Sequence, residues 1–269
     1  MKTFNITRLR NTLLWQVVDR KRILINFAAF GLLFALIPMV FNIVNNFSHI
    51  IPMDWNGVAS IYAMIMVAYL TTCGAFIVGN ISDKNSRINA FLLPASKLEK
   101  FVSRYIFLLI AVPLAAFIGL IVGDIIQMPI YKILSGEASS LTYAFLYNMA
   151  HSYYFWDGMS EGAGTLINGI IVALYIHSIL LLCGTFFHRH AWIKSNVLLL
   201  LASIVLSVVI MFIAKSILNA IYGAGNYVVY LEDSIAWYVL FIVFFVFNYW
   251  AAYRIYSRMQ AINNKWYNF

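Results

Sequence analysis

Six apolar stretches, each roughly long enough to cross a membrane as a helix, recur along this chain. A transmembrane α-helix needs about 20 consecutive apolar residues to cross roughly 30 Å of hydrocarbon. Such stretches account for a composition that is 63% hydrophobic and only 10% charged. The six predicted spans are residues 23–44, 57–80, 105–126, 164–187, 195–218 and 236–253. We therefore predict an all-α, polytopic membrane protein whose transmembrane domain covers residues 23–253.

Several spans contain glycine or proline, for example Pro38, Gly74 and Pro113. In a soluble protein these residues would argue against a helix. Within a membrane, side chains of neighbouring helices can satisfy the backbone groups that such residues leave free. The spans are therefore kept as helices.

The basic residues predict the orientation in the membrane. Sixteen of the 18 Lys and Arg residues fall on one side if the N-terminus is cytoplasmic, and only Lys132 and Lys215 fall on the other. Cytoplasmic segments carry the excess of basic residues, so both termini are predicted inside. The formal net charge of +8 is then explained by basic residues that line the cytoplasmic face, where anionic membrane lipid favours them. No nucleic-acid partner is expected.

Residues 1–22 are predicted to form a cytoplasmic amphipathic helix at the membrane surface, and residues 254–269 a cytoplasmic basic tail. The apolar side chains of the first segment recur at helical spacing on one face. They are Ile6, Leu9, Leu13, Leu14, Val17 and Val18. Two roles remain open: an anchor that only positions the first span, and a mechanical element.

The cytoplasmic loop 81–104, between spans two and three, contains the stretch NSRINAFLLPASKLEKFVSR. Apolar residues before Pro94 repeat at helical spacing, and proline disfavours helical geometry in the residue before it. Ser96 and Glu99 fit the S-x-x-E capping box that begins a new helix. The stretch predicts a short helix, a sharp stop and a capped restart. The alternative is an ordinary interfacial loop whose charges are only solvated.

This stretch resembles the loop between spans two and three in permease subunits of type 2 ABC transporters, in particular the compact permeases of Bacteroidetes. In that family a leucine-rich segment is followed by proline, a small residue, Ser or Arg, and an acidic residue before the next span. The matching residues here are Leu92, Leu93, Pro94, Ala95, Ser96 and Glu99. Six spans with both termini inside, after an amphipathic helix, also agree with the family.

The resemblance implies a bacterial inner-membrane exporter subunit that acts as a dimer, either with itself or with a similar permease. The loop would be a coupling helix that docks in a groove of a separate ABC ATPase. Ser96 and Glu99 would stiffen the link to span three, and the docking tip would consist of Arg87, Phe91, Leu92, Leu93 and Pro94. The outer segment 127–163 is longer than the family leads us to expect, and 219–235 is shorter.

Motifs for chemistry are missing from the sequence. No G-x-x-x-x-G-K-[ST] loop occurs, so ATP hydrolysis is assigned to a partner, and no catalytic residue, cofactor or metal is predicted. The string LSGEASS at 134–140 is interpreted as a chance match to an ABC signature. His188 and His190 form an H-x-H pair, which is either part of a zinc site or simply a basic interfacial loop.

Polar residues within the spans leave alternatives open. His177, Asn168 and Asn248 are either intramembrane functional groups or hydrogen-bond partners between helices. Asp124 and Lys215 are either an ion pair or two side chains that reach separately for the interface. Besides the permease, two functions are considered: a non-enzymatic membrane scaffold or assembly protein, and a membrane enzyme that uses His177 or the histidine loop.

Overall fold

The computed structural model describes residues 4–46, 55–79, 84–136, 139–151, 163–187, 190–222 and 235–259, and over these residues the chain is helical. Over the described residues, helices overlap each of the six predicted spans. The helices are α1 (Ile6–Asp19), α2 (Lys21–Asn45), α3 (Trp55–Thr72), α4 (Lys84–Leu92), α5 (Lys97–Ile106), α6 (Val112–Ser135), α7 (Leu141–His151), α8 (Ala163–Phe186), α9 (Ala191–Tyr222) and α10 (Ile235–Arg258).

Among the described residues, three helical stretches are long and apolar enough to cross a membrane, so the all-helical chain is a membrane protein. They are Lys21–Asn45, Trp55–Phe76 and Lys97–Leu134. The last joins α5 to α6 and has 38 residues. A helix of that size is about 57 Å long, nearly twice the hydrocarbon thickness. Its ends therefore project beyond the apolar layer.

The chain divides into two compact units. The first unit comprises Met1–Cys73 and Leu92–Gly169, and the second comprises Gly74–Phe91 and Ile170–Phe269. The boundaries between the units fall at three places: after Cys73 within predicted span two, between Phe91 and Leu92 at the end of α4, and after Gly169 within α8.

Close backbone contact between α2 and α6 holds the first unit together. A Cβ atom on Gly119 would lie 1.8 Å from the carbonyl oxygen of Ala28, and one on Gly31 would lie 1.9 Å from that of Ala116. Both distances are far inside van der Waals contact, so only glycine fits at either position. Small residues facing each other are how helices approach closely in a membrane.

A single π-helical turn, Phe107–Ala111, connects α5 to α6 immediately before Pro113. In this turn the N–H of Val112 bonds to the carbonyl of Phe107, one residue further back than in an α-helix. Pro113 has no N–H to offer, so the carbonyl of Leu108 lacks a donor from its own helix. The hydroxyl of Tyr69 on α3 donates to that oxygen at 3.0 Å. The expectation that neighbouring helices satisfy freed backbone groups is thus confirmed here.

Helix α6 continues past residue 127, the predicted start of the outer segment, as far as Ser135. It ends at Gly136, whose φ of 78° is left-handed and suits glycine. The next helix, α7, packs its Phe145 edge-on against Tyr62 of α3, with ring centroids 5.2 Å apart. The residues of the outer segment that the structure describes are therefore mainly helical, and α7 packs against the first turns of α3.

Asp124 secures the start of α7. Its carboxylate accepts hydrogen bonds from the backbone N–H groups of Leu141 and Thr142, at 2.9 and 3.1 Å. Gln127 Nε2 donates to it at 2.7 Å, and the Ser140 hydroxyl also donates to it. The carboxylate thus caps a helix N-terminus, a role that the sequence did not suggest. The side chain of Lys215, its predicted partner, lies outside the described residues.

In the second unit, the chain after α3 packs against α8. The predicted span two extends to residue 80, but the α-helix ends at Thr72 and a 3₁₀ turn, Cys73–Phe76, follows. A Cβ on Gly74 would lie 3.0 Å from the backbone nitrogen of Leu181. The tighter turn and the missing side chain allow the two backbones to approach, which is why the regular helix stops early.

Candidate coupling site

The helix break predicted in the loop 81–104 is confirmed. Helix α4 ends at Leu92, and α5 begins at Lys97 with Ser96 as its N-cap. The Ser96 hydroxyl accepts from the N–H of Glu99 at 3.2 Å, and Glu99 Oε2 accepts from the N–H of Ser96 at 2.7 Å. Both halves of the capping box are therefore formed. The start of α5 is defined by two reciprocal hydrogen bonds.

The residues of the predicted docking tip differ in accessibility. Leu92 is 75% exposed, and Pro94 beside it is exposed as well, whereas Leu93 is half-buried. In the second unit Phe91 is also half-buried, and the side chain of Arg87 lies outside the described residues. Leu92 and Pro94 are therefore the members of the tip best placed to contact a partner.

Glu99 does more than cap its own helix, because it also binds the start of α1. Its Oε1 accepts from the backbone N–H of Asn5 at 2.7 Å. Arg8 donates to the same oxygen through Nη2 at 3.0 Å and Nε at 3.2 Å, which makes a salt bridge. Asn5 is in turn the N-cap of α1, since its side chain accepts from the N–H groups of Thr7 and Arg8. One carboxylate therefore joins the first turns of two helices.

The surroundings of Glu99 favour its charged form. The side chain is fully buried, yet it lies at the positive ends of two helix dipoles and beside a guanidinium. Burial alone would raise the pKa of Glu99, but hydrogen bonds from Ser96, Asn5 and Arg8 outweigh it and hold the pKa at about 2. The residue precedes the predicted span, so it acts as a fixed negative charge at the end of the long helix.

A polar face of α1 continues this contact along α5. Thr12, Gln16 and Arg20 recur every four residues and are all buried. Gln16 Nε2 donates to the Ser103 hydroxyl at 2.7 Å. The guanidinium carbon of Arg20 lies 5.5 Å from the ring centroid of Phe107. The contacts follow the same order along both helices, so α1 and α5 run roughly parallel and are joined by polar groups at several points.

Part of the predicted apolar face of α1 points away from the protein. Ile6 is 74% exposed, Val18 is 70% exposed and Leu14 is 50% exposed, whereas Leu9, Leu13 and Val17 are half-buried. Such a face suits the boundary between lipid headgroups and acyl chains. The sequence revealed this apolar stripe but not the polar one. Two features of the sequence could have predicted the polar face of α1. They are the polar residues that recur every four positions from Arg8 to Arg20, and the asparagine directly before the first turn.

Two further cations of α5 are buried near this contact. Lys100 is 8% exposed and Arg104, one turn later, is 2% exposed. Burial, then the charges of Arg104 and Lys97, lower the pKa of Lys100. The first turns of α5 therefore combine one fixed carboxylate with a surplus of positive charge.

Of the polar residues predicted within the spans, His177 and Asn248 lie in the second unit, whereas Asn168 belongs to the first. Asn248 of α10 donates to the Ser178 hydroxyl of α8 at 3.0 Å, so it links two helices. His177 is buried beside Tyr249, with ring centroids 6.4 Å apart. The side chain of Asn168 and all of His188 lie outside the described residues. Within those that are described, no three His, Cys, Asp or Glu side chains come together as a metal site would require.

Comparison with known proteins gives no match, whether to a family model, to a curated protein or to a solved structure. The resemblance to type 2 ABC permeases therefore stays a prediction.

Proposed function

We propose that this chain is the membrane-spanning permease subunit of an ABC transporter that exports its substrate from a bacterial cell. Six spans, with both termini in the cytoplasm, would form half of the pathway in the inner membrane. The observation that carries the proposal is the segment around Leu92, Pro94 and Glu99. There an exposed apolar tip is followed by a capped helix that continues into a span, and this is where the sequence resembles the coupling loop of the family.

The tip would receive force from the ATPase. Closure of two nucleotide-bound ATPases can shift a membrane subunit only through contacts that differ between its two states. Leu92 and Pro94 offer a small apolar contact for a groove. Movement of the tip would enter α5 directly, because only three residues separate Leu92 from the Ser96 cap.

Glu99 would then pass the movement to two places at once. Along the chain, α5 continues through the π-helical turn into α6. Across the contact, the carboxylate holds Asn5 and Arg8, so α1 would move with α5. Because α2 begins two residues after α1 ends, the first span would follow. This favours a mechanical role for α1 over that of a simple anchor.

The chain carries no phosphate-binding loop, so the proposal requires a separate ABC ATPase subunit. Two permease chains, identical or similar, would enclose the pathway at their interface. The non-enzymatic scaffold remains the rival function, and the two differ in the partner that they require.

Affinity purification of the natively expressed protein tests the proposal. We expect an ATPase with a phosphate-binding loop to co-purify, and Leu92→Asp to abolish its recovery, because a charge on a 75% exposed side chain disrupts an apolar contact without disturbing the fold. Leu98→Asp is the matched control, since Leu98 is 40% exposed on α5 and lies beyond the tip. A stable complex without any nucleotidase would favour the scaffold. Undiminished ATPase recovery with Leu92→Asp would refute the docking site.

A further inference from the structure

A second feature lies in the second unit, where α8 and α10, with Leu198 of α9, line an open cavity of about 550 Å³. The volume is within the range of sites that hold small amphipathic molecules. The lining is almost entirely apolar along most of its length. Its main apolar members are Leu182, Phe186, Leu198, Phe247 and Ile255.

One end of this cavity is cationic. Arg254 and Arg258 line it from α10, are both exposed, and lie one helical turn apart. The Nζ of Lys194 on α9 lies 5.8 Å from the ring centroid of Phe187, another lining residue. The cavity therefore has an apolar body and a positively charged mouth.

The cavity also has the shape that a lipid chain needs. The lining residues of α10 run along one face from Phe247 to Arg258, a distance of about 16 Å at the rise of an α-helix. The lining comes from the last turns of α8, the first half of α9 and the last turns of α10, which is one end of this three-helix group. An acyl chain placed along α10 would bring a headgroup to the two arginines.

We propose that this cavity binds one acyl chain of an anionic phospholipid, whose phosphate is held by Arg254 and Arg258. Guanidinium groups suit phosphate because their planar N–H donors match its oxygens. A zwitterionic lipid offers the same acyl chain but no net charge, so the site prefers the anionic lipid. The proposal requires insertion in a membrane and does not depend on an ATPase partner.

Photocrosslinking in nanodiscs tests the site. The probe is phosphatidylglycerol with a diazirine on its acyl chain, present in trace amounts in a phosphatidylcholine bilayer. We expect crosslinks on lining residues of α8 and α10, and we expect excess phosphatidylglycerol to displace the probe better than excess phosphatidylcholine. Each basic residue near a headgroup contributes about five-fold in affinity for anionic lipid. The preference should therefore be about 25-fold.

Substitutions test separately the contacts with the lipid headgroup and those with the acyl chain. Replacing Arg254 and Arg258 together with Gln should bring the preference close to one, whereas the Lys double variant should retain most of it. Arg10→Gln is the matched control, because Arg10 is an exposed arginine of α1 far from the cavity in sequence. Ala251→Trp should fill the cavity and remove the crosslinks.

Three results would overturn the proposal. They are crosslinks that map elsewhere, equal competition by the two lipids in the unmodified protein, and a preference that survives in the Gln double variant. The Lys double variant is the control for misfolding. If it is folded and keeps the positive charge, it should also keep the preference for phosphatidylglycerol over phosphatidylcholine.

Discussion

Replacing Glu99 with Gln should release α1 from α5. Glutamine keeps the size of the side chain but removes the charge, and it replaces one acceptor oxygen with an N–H₂ group that faces other donors. A hydrogen bond to a charged group contributes about 1.5–3 kcal/mol, and breaking a buried ion pair costs about 3–5 kcal/mol. Arg8 is 23% exposed, so water screens part of its contribution. We therefore expect a loss of about 3 kcal/mol in the contact, which is roughly 100-fold in its equilibrium constant.

Hydrogen exchange in nanodiscs measures this loss directly, because two of the donors to Glu99 are backbone amides. Because glutamine keeps a single acceptor oxygen, at least one of the amides of Asn5 and Ser96 should exchange about 100-fold faster in Glu99→Gln. Asp19→Asn is the matched control, since it removes an exposed carboxylate from the same helix. If both amides keep their protection in Glu99→Gln, the carboxylate does not hold the two helices together.

The same contact should weaken in acid. A carboxyl whose pKa is lowered from 4.5 to about 2 stabilises the folded contact at pH values above 4.5. That contribution is lost as the pH falls from 4.5 through about 2. Pepsin, which is active in this range, should cleave α1 increasingly as the pH falls. Glu99→Gln should be cleaved readily throughout, and a similar pH dependence in both proteins would contradict the assignment.

Three further substitutions test the packing of the first unit. Tyr69→Phe should destabilise the protein by about 1–3 kcal/mol in thermal unfolding because it leaves a buried carbonyl without a donor, whereas Tyr62→Phe should cost little because that buried hydroxyl has no hydrogen-bond partner among the described residues. Gly119→Ala should reduce the yield of folded protein in size-exclusion chromatography because its Cβ would overlap a backbone oxygen of α2, whereas a Cβ on Gly79 meets no described atom within 4 Å and should be tolerated. Asp124→Asn should weaken the start of α7 by about 1–2 kcal/mol, seen as faster hydrogen exchange there. Equal losses of stability in the two tyrosine variants would refute the Tyr69 hydrogen bond, and equal yields of the two glycine variants would refute the close contact at Gly119. Unchanged hydrogen exchange at the start of α7 in Asp124→Asn would refute the cap.

The break at Pro94 and the capping box were predictable from the sequence because both are local. A proline acts on its immediate neighbours, and the Ser96–Glu99 pair lies within a single helical turn. The apolar face of α1 was predictable for the same reason, since helical periodicity depends only on spacing. The second role of Glu99 was not predictable, because its partners Asn5 and Arg8 are more than 90 residues away along the chain.

A helical chain with membrane-spanning segments was predictable from the residues alone, because length and apolarity of a segment suffice to favour a span. The stop and restart of the helix between spans two and three were predictable in the same way. Helix packing, in contrast, fixes which face of α1 meets the protein, what Glu99 and Asp124 cap, and which donor satisfies the carbonyl left free by Pro113. Each of these depends on donors and acceptors from distant segments, whose proximity arises from helix packing and leaves no trace in local spacing.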